Sequence, residues 1–176
     1  MSLQREKIVA RDREHLRKLV YESIQKYGPN CDLNFIDVSG VEDMDGIFAW
    51  VNRVFNGDVS QWDVSNVESM RDMFAYSQFN GDVSLWNVSD VWQMPELFAY
   101  SKFTGDVSGW KVADDALCIG MFNGSLLELN GQIPEWYRAI EEKQRLEREN
   151  LDIEENSVKE EEFNQSDDGE LENLSF

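Results

Sequence analysis

Histidine occurs once in the 176 residues, at His15; cysteine occurs twice and proline three times. One imidazole without a Cys or His cluster supplies neither a transition-metal ligand set nor a base for a nucleophile, so a surface or packing role fits His15. Cys31 and Cys118 are far apart and form no CxxC pair, which argues against a zinc site or redox dithiol and leaves two reduced, structural thiols as the expectation. Long apolar runs are missing too. No stretch approaches the roughly 20 apolar residues that span a bilayer, and the opening segment from Met1 to Lys7 leads into charge rather than into a signal-type core. Membrane insertion is therefore not expected. The default location is the cytoplasm, with cell-surface association left open.

Positive charge is the remaining scarcity: 16 Lys and Arg face 35 Asp and Glu, for a formal net charge of −19. Its distribution is uneven, with +3 over residues 1–27, −12 over 28–140 and −10 over 141–176. Such a surface repels a phosphate backbone, so direct nucleic-acid binding is not expected, and attraction to a basic protein surface is physically easier.

What the chain does have is a repeat. Phe55-Asn56-Gly57-Asp58-Val59-Ser60-Gln61-Trp62 recurs as Phe79-Asn80-Gly81-Asp82-Val83-Ser84-Leu85-Trp86, and again as Phe103-Thr104-Gly105-Asp106-Val107-Ser108-Gly109-Trp110, at a spacing of 24 residues. The second half agrees independently, with Asp63 to Tyr76 matching Asn87 to Tyr100. A less regular copy starts at Asp37, 26 residues earlier, and a worn one follows through Cys118 and Phe122. A unit this short cannot bury its own apolar face, so adjacent copies are expected to cover one another. The expected core comprises Phe55, Phe79 and Phe103; Trp62, Trp86 and Trp110; and Phe74, Phe98 and Phe122. Val, Met and Cys118 ladders accompany these aromatic rows.

Met70, Met73 and Phe74 have the i, i+3, i+4 spacing of a helix face. Pro95, tolerated only in a first turn, sets the predicted helix starts near residues 43, 69 and 93, after an extended Val-Ser-x-Val segment. The fold expected is thus an α/β repeat solenoid, leucine-rich-repeat-like, of short parallel strands and short helices with an N-terminal helical cap. Gly57, Gly81 and Gly105 mark turns where a side chain would collide or where positive φ is needed. Asn56, Asp58, Asn80, Asp82 and Asp106 accompany them, placed to bind unpaired backbone N–H groups.

Four regions follow. Residues 1–30 form a strand and helix cap, with Ile8 and Val9 extended, Asp12 as helix cap and Gly28-Pro29 as terminator. Residues 31–126 hold four repeats, 127–140 a C-terminal cap, and 141–176 an acidic tail passing from helix to disorder beyond about residue 156.

The run Cys31-Asp32-Leu33-Asn34-Phe35-Ile36-Asp37-Val38-Ser39, the repeated Phe-Asn-Gly-Asp-Val-Ser-x-Trp-Asp-Val-Ser-Asn-Val and the Met-x-x-Met-Phe pattern resemble the BspA-like leucine-rich-repeat family, which contains the repeat domain of unknown function first described in mycoplasma lipoproteins. The resemblance covers roughly residues 7–137. It implies a bacterial or phage-borne repeat protein and, for some members, surface adhesion; it supplies no catalytic motif.

No enzyme, cofactor or metal is expected. Asp58, Asp82 and Asp106 recur in nearly identical surroundings, whereas paired acid and base roles need different ones. Their separation by whole repeats also lacks the compact spacing of a calcium loop. Trp50, Tyr76, Trp92 and Tyr100 fall outside the repeated core and are the candidate contacts for an unidentified protein partner. A non-enzymatic protein-binding module is the leading reading. An acidic inhibitor or nucleic-acid mimic occupying a basic protein site, and a structural scaffold, are the alternatives, and oligomeric state is not legible.

Overall fold

The computed structural model describes residues 6–171, which fall into two compact units, Met1–Arg138 and Ala139–Phe176. The first opens with β1 (Ile8–Val9) and α1 (Arg13–Tyr27). β1 pairs in parallel with β2 (Ile36–Asp37), with Ile8 opposite Ile36 and Val9 opposite Asp37. Asp12 caps α1 by accepting from the His15 backbone N–H at 2.8 Å. At the other end Gly28 adopts φ 90° and returns its N–H to the Ile24 carbonyl. Leu16, Val20 and Ile24 are buried on one face of the helix.

From residue 38 to residue 124 the structure overturns the expected leucine-rich-repeat-like α/β solenoid. No α-helix and no strand longer than a single bridge forms there. Among the described residues the elements are β1, β2, α1, a 3-10 turn at Trp50–Asn52, the short α2 (Leu126–Leu129) and α3 (Glu135–Leu171). The predicted helices near 43, 69 and 93 are single turns. Met73 N–H donates to Met70 three residues back, but Phe74 N–H donates to Leu97 in the next copy, so no i to i−4 ladder starts. Asp72 and Glu96 then enter the left-handed region at φ 54° and 56°, which stops a right-handed helix outright. The predicted Val-Ser-x-Val strands are also turns; parallel pairing is confined to isolated bridges such as Ser69 with Gln93 and Gln93 with Leu117.

The copies nonetheless hydrogen-bond to one another in register. Met44, Met70 and Met94 donate backbone N–H groups to Ser69, Gln93 and Leu117 at 2.8 Å each. These bonds bring equivalent side chains to nearly strand-like separation. Phe48 and Phe74 lie 5.0 Å apart, Phe74 and Phe98 5.4 Å, and Phe98 and Phe122 5.7 Å, with ring planes within 5°. Phe55, Phe79 and Phe103 form a second buried row. Each fully buried Phe contributes about 1.5–3 kcal/mol of transfer free energy.

The tryptophan row carries polar bonds into that core. Trp62, Trp86 and Trp110, all nearly buried, donate Nε1–H to the carbonyls of Leu33, Val59 and Val83 at 3.0–3.2 Å. Trp136, in the first turn of α3, continues the series by donating to Val107 at 3.0 Å and stacking 6.5 Å from Trp110. Tyr137 closes edge-on against Phe122 at 5.0 Å.

Gly57, Gly81 and Gly105 are needed for space rather than for φ, since none is in the left-handed region. A Cβ on Gly57 would collide with the Cys31 carbonyl oxygen. One on Gly81 would lie 2.7 Å from Phe79 Cε2 and 2.9 Å from the Gly57 oxygen, and one on Gly105 2.7 Å from Phe103. In the same turns Asp58, Asp82 and Asp106 each accept the N–H of the serine two residues on at 2.9 Å. Asn56 and Asn80 reach across to the backbone N–H of residues 80 and 104, both at 2.7 Å.

The second unit continues α3, with Arg145 paired to Glu142 at 2.6 Å and to Glu149 at 2.8 Å. Helix extends to Leu171, across the segment expected to be disordered; residues 172–176 lie outside the described residues.

Candidate functional site

Superposing the copies in sequence exposes two columns of unusual backbone. Positions 46, 72, 96 and 120 are Gly, Asp, Glu and Gly, with φ between 54° and 65°; positions 50, 76, 100 and 124 are Trp, Tyr, Tyr and Gly, with φ between 54° and 63°. Every one is left-handed. Glycine occupies this region freely, whereas a side chain there costs on the order of 1 kcal/mol. The chain therefore accepts strain at Trp50, Asp72, Tyr76, Glu96 and Tyr100 where glycine would fit, and it uses glycine at the ends of the same columns.

The strained residues converge. Tyr76 and Tyr100 stack with ring centroids 4.9 Å apart at 14°, and Tyr100 lies so close over Gly124 that a Cβ there would come within 2.5 Å of its ring. Trp50 is 75% exposed, Tyr76 57% and Tyr100 55%, so these rings are displayed rather than packed away. Trp50, Arg53, Asp72, Ala75, Tyr76 and Glu96, with Ala49, line a cleft of about 340 Å³. Burial is the first cause of a raised Asp72 pKa, and the adjacent Glu96 charge raises it further, against a lowering pull from Arg71. Among the described residues neither Asp72 nor Glu96 takes part in an ion pair.

Trp92 lies elsewhere. It is half-exposed beside Glu42, Glu68 and Asp90 in a second cleft of about 370 Å³ that shares no residue with the first, and its Nε1–H points to Glu68 Oε2 at 3.5 Å. The four proposed contact residues thus divide into a column of three and one separate position. Trp62, Trp86 and Trp110 and the Phe rows are in the core and available to no ligand.

The sequence pattern offers Asp72 only as a capping partner for Ser69 and does not mark Asp72, Glu96 or Arg53 as contact residues. The signal was present in the register, because Gly46 and Gly120 align with the two acids and Gly124 with the tyrosines. Neither cysteine forms a disulfide, and both are buried. Burial pushes the Cys118 thiol up to about 12, so it is not a nucleophile at neutral pH. No group of three or more His, Cys, Asp or Glu able to hold a metal occurs among the described residues.

Residues 17–136 match the family described as Mycoplasma protein of unknown function, DUF285. The chain belongs to the DUF285 family. This assignment replaces the BspA-like leucine-rich-repeat identification, and with it the descriptors leucine-rich repeat and solenoid, since the DUF285 model carries no such assignment and the copies contain neither the strand nor the helix of that class. No curated protein and no solved structure matches the chain. For this DUF285 protein, no helix among the described residues is long and apolar enough to cross a membrane.

Proposed function

We propose that the chain is a non-enzymatic protein-binding module and that the column Trp50, Tyr76 and Tyr100, with its adjoining cleft, is the contact surface. The observation that carries this reading is the placing of three large, exposed aromatic rings on left-handed backbone that glycine would occupy without strain. Residues held in such backbone cluster at binding and switch sites. Aromatic rings held by the backbone and by one another also lose little freedom on binding, which is why Trp and Tyr dominate interface energetics.

The test is to pan a random peptide display library on the full chain and on the Trp50→Ala/Tyr76→Ala variant, with both proteins checked for native circular dichroism. Peptides enriched by the wild type and lost by the variant are expected. Enrichment that is absent, or unchanged in the variant, overturns the reading.

A further inference from the structure

The cleft beside the aromatic column also has a charge, and that charge selects among peptides. Of its lining residues Arg53 is the sole cation, against the carboxylates of Asp72 and Glu96. Those two carboxylates repel one another, since Glu96 is among the causes that raise Asp72, and neither is neutralised by an ion pair within the described residues. The same cleft presents the exposed rings of Trp50 and Tyr76. Aromatic faces and carboxylates attract one class of group in common: a weakly hydrated, planar cation, which stacks on a ring while its N–H groups donate to carboxylate oxygens. A glutamate side chain or a phosphate would meet two like charges here, offset only in part by Arg53 in the lining and Arg71 beside Asp72. A purely aliphatic segment would cover Asp72 and Glu96 without compensating their lost hydration.

Resting on the protein-binding reading above, we propose that the occupant is an extended peptide segment bearing arginine, with one guanidinium seated between the Trp50 and Tyr76 rings and the Asp72 and Glu96 carboxylates. The segment's backbone carbonyls are then available to Arg53. Local pairing of this kind differs from diffuse attraction to a chain of charge −19, because it depends on two particular acids and not on the total.

Fluorescence anisotropy of labelled eight-residue peptides separates these possibilities at about 150 mM salt, where the Debye length of about 8 Å screens diffuse attraction. One peptide alternates arginine with leucine, and its control replaces each arginine with citrulline, which keeps the shape and removes the charge. The full chain is expected to bind the arginine peptide at least tenfold more tightly than the citrulline peptide. Asp72→Asn/Glu96→Gln is expected to lose most of that preference; asparagine tolerates the left-handed region at position 72, so the fold is retained. Glu42→Gln/Glu68→Gln, in the separate cleft, should keep it. Equal loss in both variants, or a preference unchanged by Asp72→Asn/Glu96→Gln, would reduce the effect to overall charge and overturn the proposal. Equal binding of the two peptides, abolished by Tyr76→Ala, would overturn the arginine preference and leave the aromatic surface standing. Failure of the wild type to bind either peptide overturns the arginine proposal, and library panning then decides the surface separately.

Discussion

Glu96 shares its column with two glycines, Gly46 and Gly120, on a backbone that suits them better. Replacing it by glycine should therefore stabilise the fold by about 1 kcal/mol, read from the urea midpoint, while weakening any ligand held by its carboxylate. A loss of stability would show that Glu96 makes a structural contact that outweighs its strain. Asp37 works in the opposite sense. Hydrogen bonds from Lys7 and then from the Ser39 hydroxyl and backbone lower its pKa to about 2, so its contribution is present above the ordinary carboxylate pKa and is lost as pH falls through the native one. Asp37→Ala should cost about 1 kcal/mol at pH 6, discounted because Lys7 is largely exposed, and the difference from wild type should vanish between about pH 4 and pH 2. Chemical denaturation across that range measures it. Burial keeps the Asp72 carboxyl raised, so its own effect runs the other way and favours the fold as pH falls.

Among the elements, the turns at Gly57, Gly81 and Gly105 are the least tolerant. Gly81→Ala should destabilise by roughly 1–3 kcal/mol, because the new methyl meets both the Phe79 ring and the Gly57 carbonyl and neither can retreat far. A thermal midpoint equal to wild type would mean that the rows slide more freely than their packing suggests. The apolar rows were readable from 24-residue spacing alone, since identical residues at a fixed period must meet if the copies stack. The local conformation was not readable. Met70, Met73 and Phe74 bury the same face in a helix and in a single turn, and periodicity cannot tell whether Phe74 N–H returns to residue 70 or crosses to Leu97. The clue lay in the glycines, where Gly46, Gly120 and Gly124 report left-handed backbone that their non-glycine counterparts hide. Trp50, Tyr76 and Tyr100 were legible as exposed aromatics, but their acidic neighbours were not, because spacing gives no depth or orientation to an aspartate.

At the scale of the whole chain, 35 acids against 16 bases make self-repulsion the largest nonspecific electrostatic effect. Raising sodium chloride from about 10 mM to about 150 mM should increase the thermal midpoint by a few degrees as the Debye length contracts from about 30 Å to about 8 Å. A midpoint that falls instead would assign more weight to local pairs such as Lys7 with Asp37 than to the summed charge. The six tryptophans divide into two optical populations. Trp50 and Trp92 face water, while Trp62, Trp86, Trp110 and Trp136 each engage a carbonyl through the indole N–H. Trp62 lies 6.5 Å from Trp86 at 5°, and Trp110 lies 6.5 Å from Trp136. At such separations an excited indole passes its energy to its neighbour before it emits, so a quencher that reaches one chromophore dims the next.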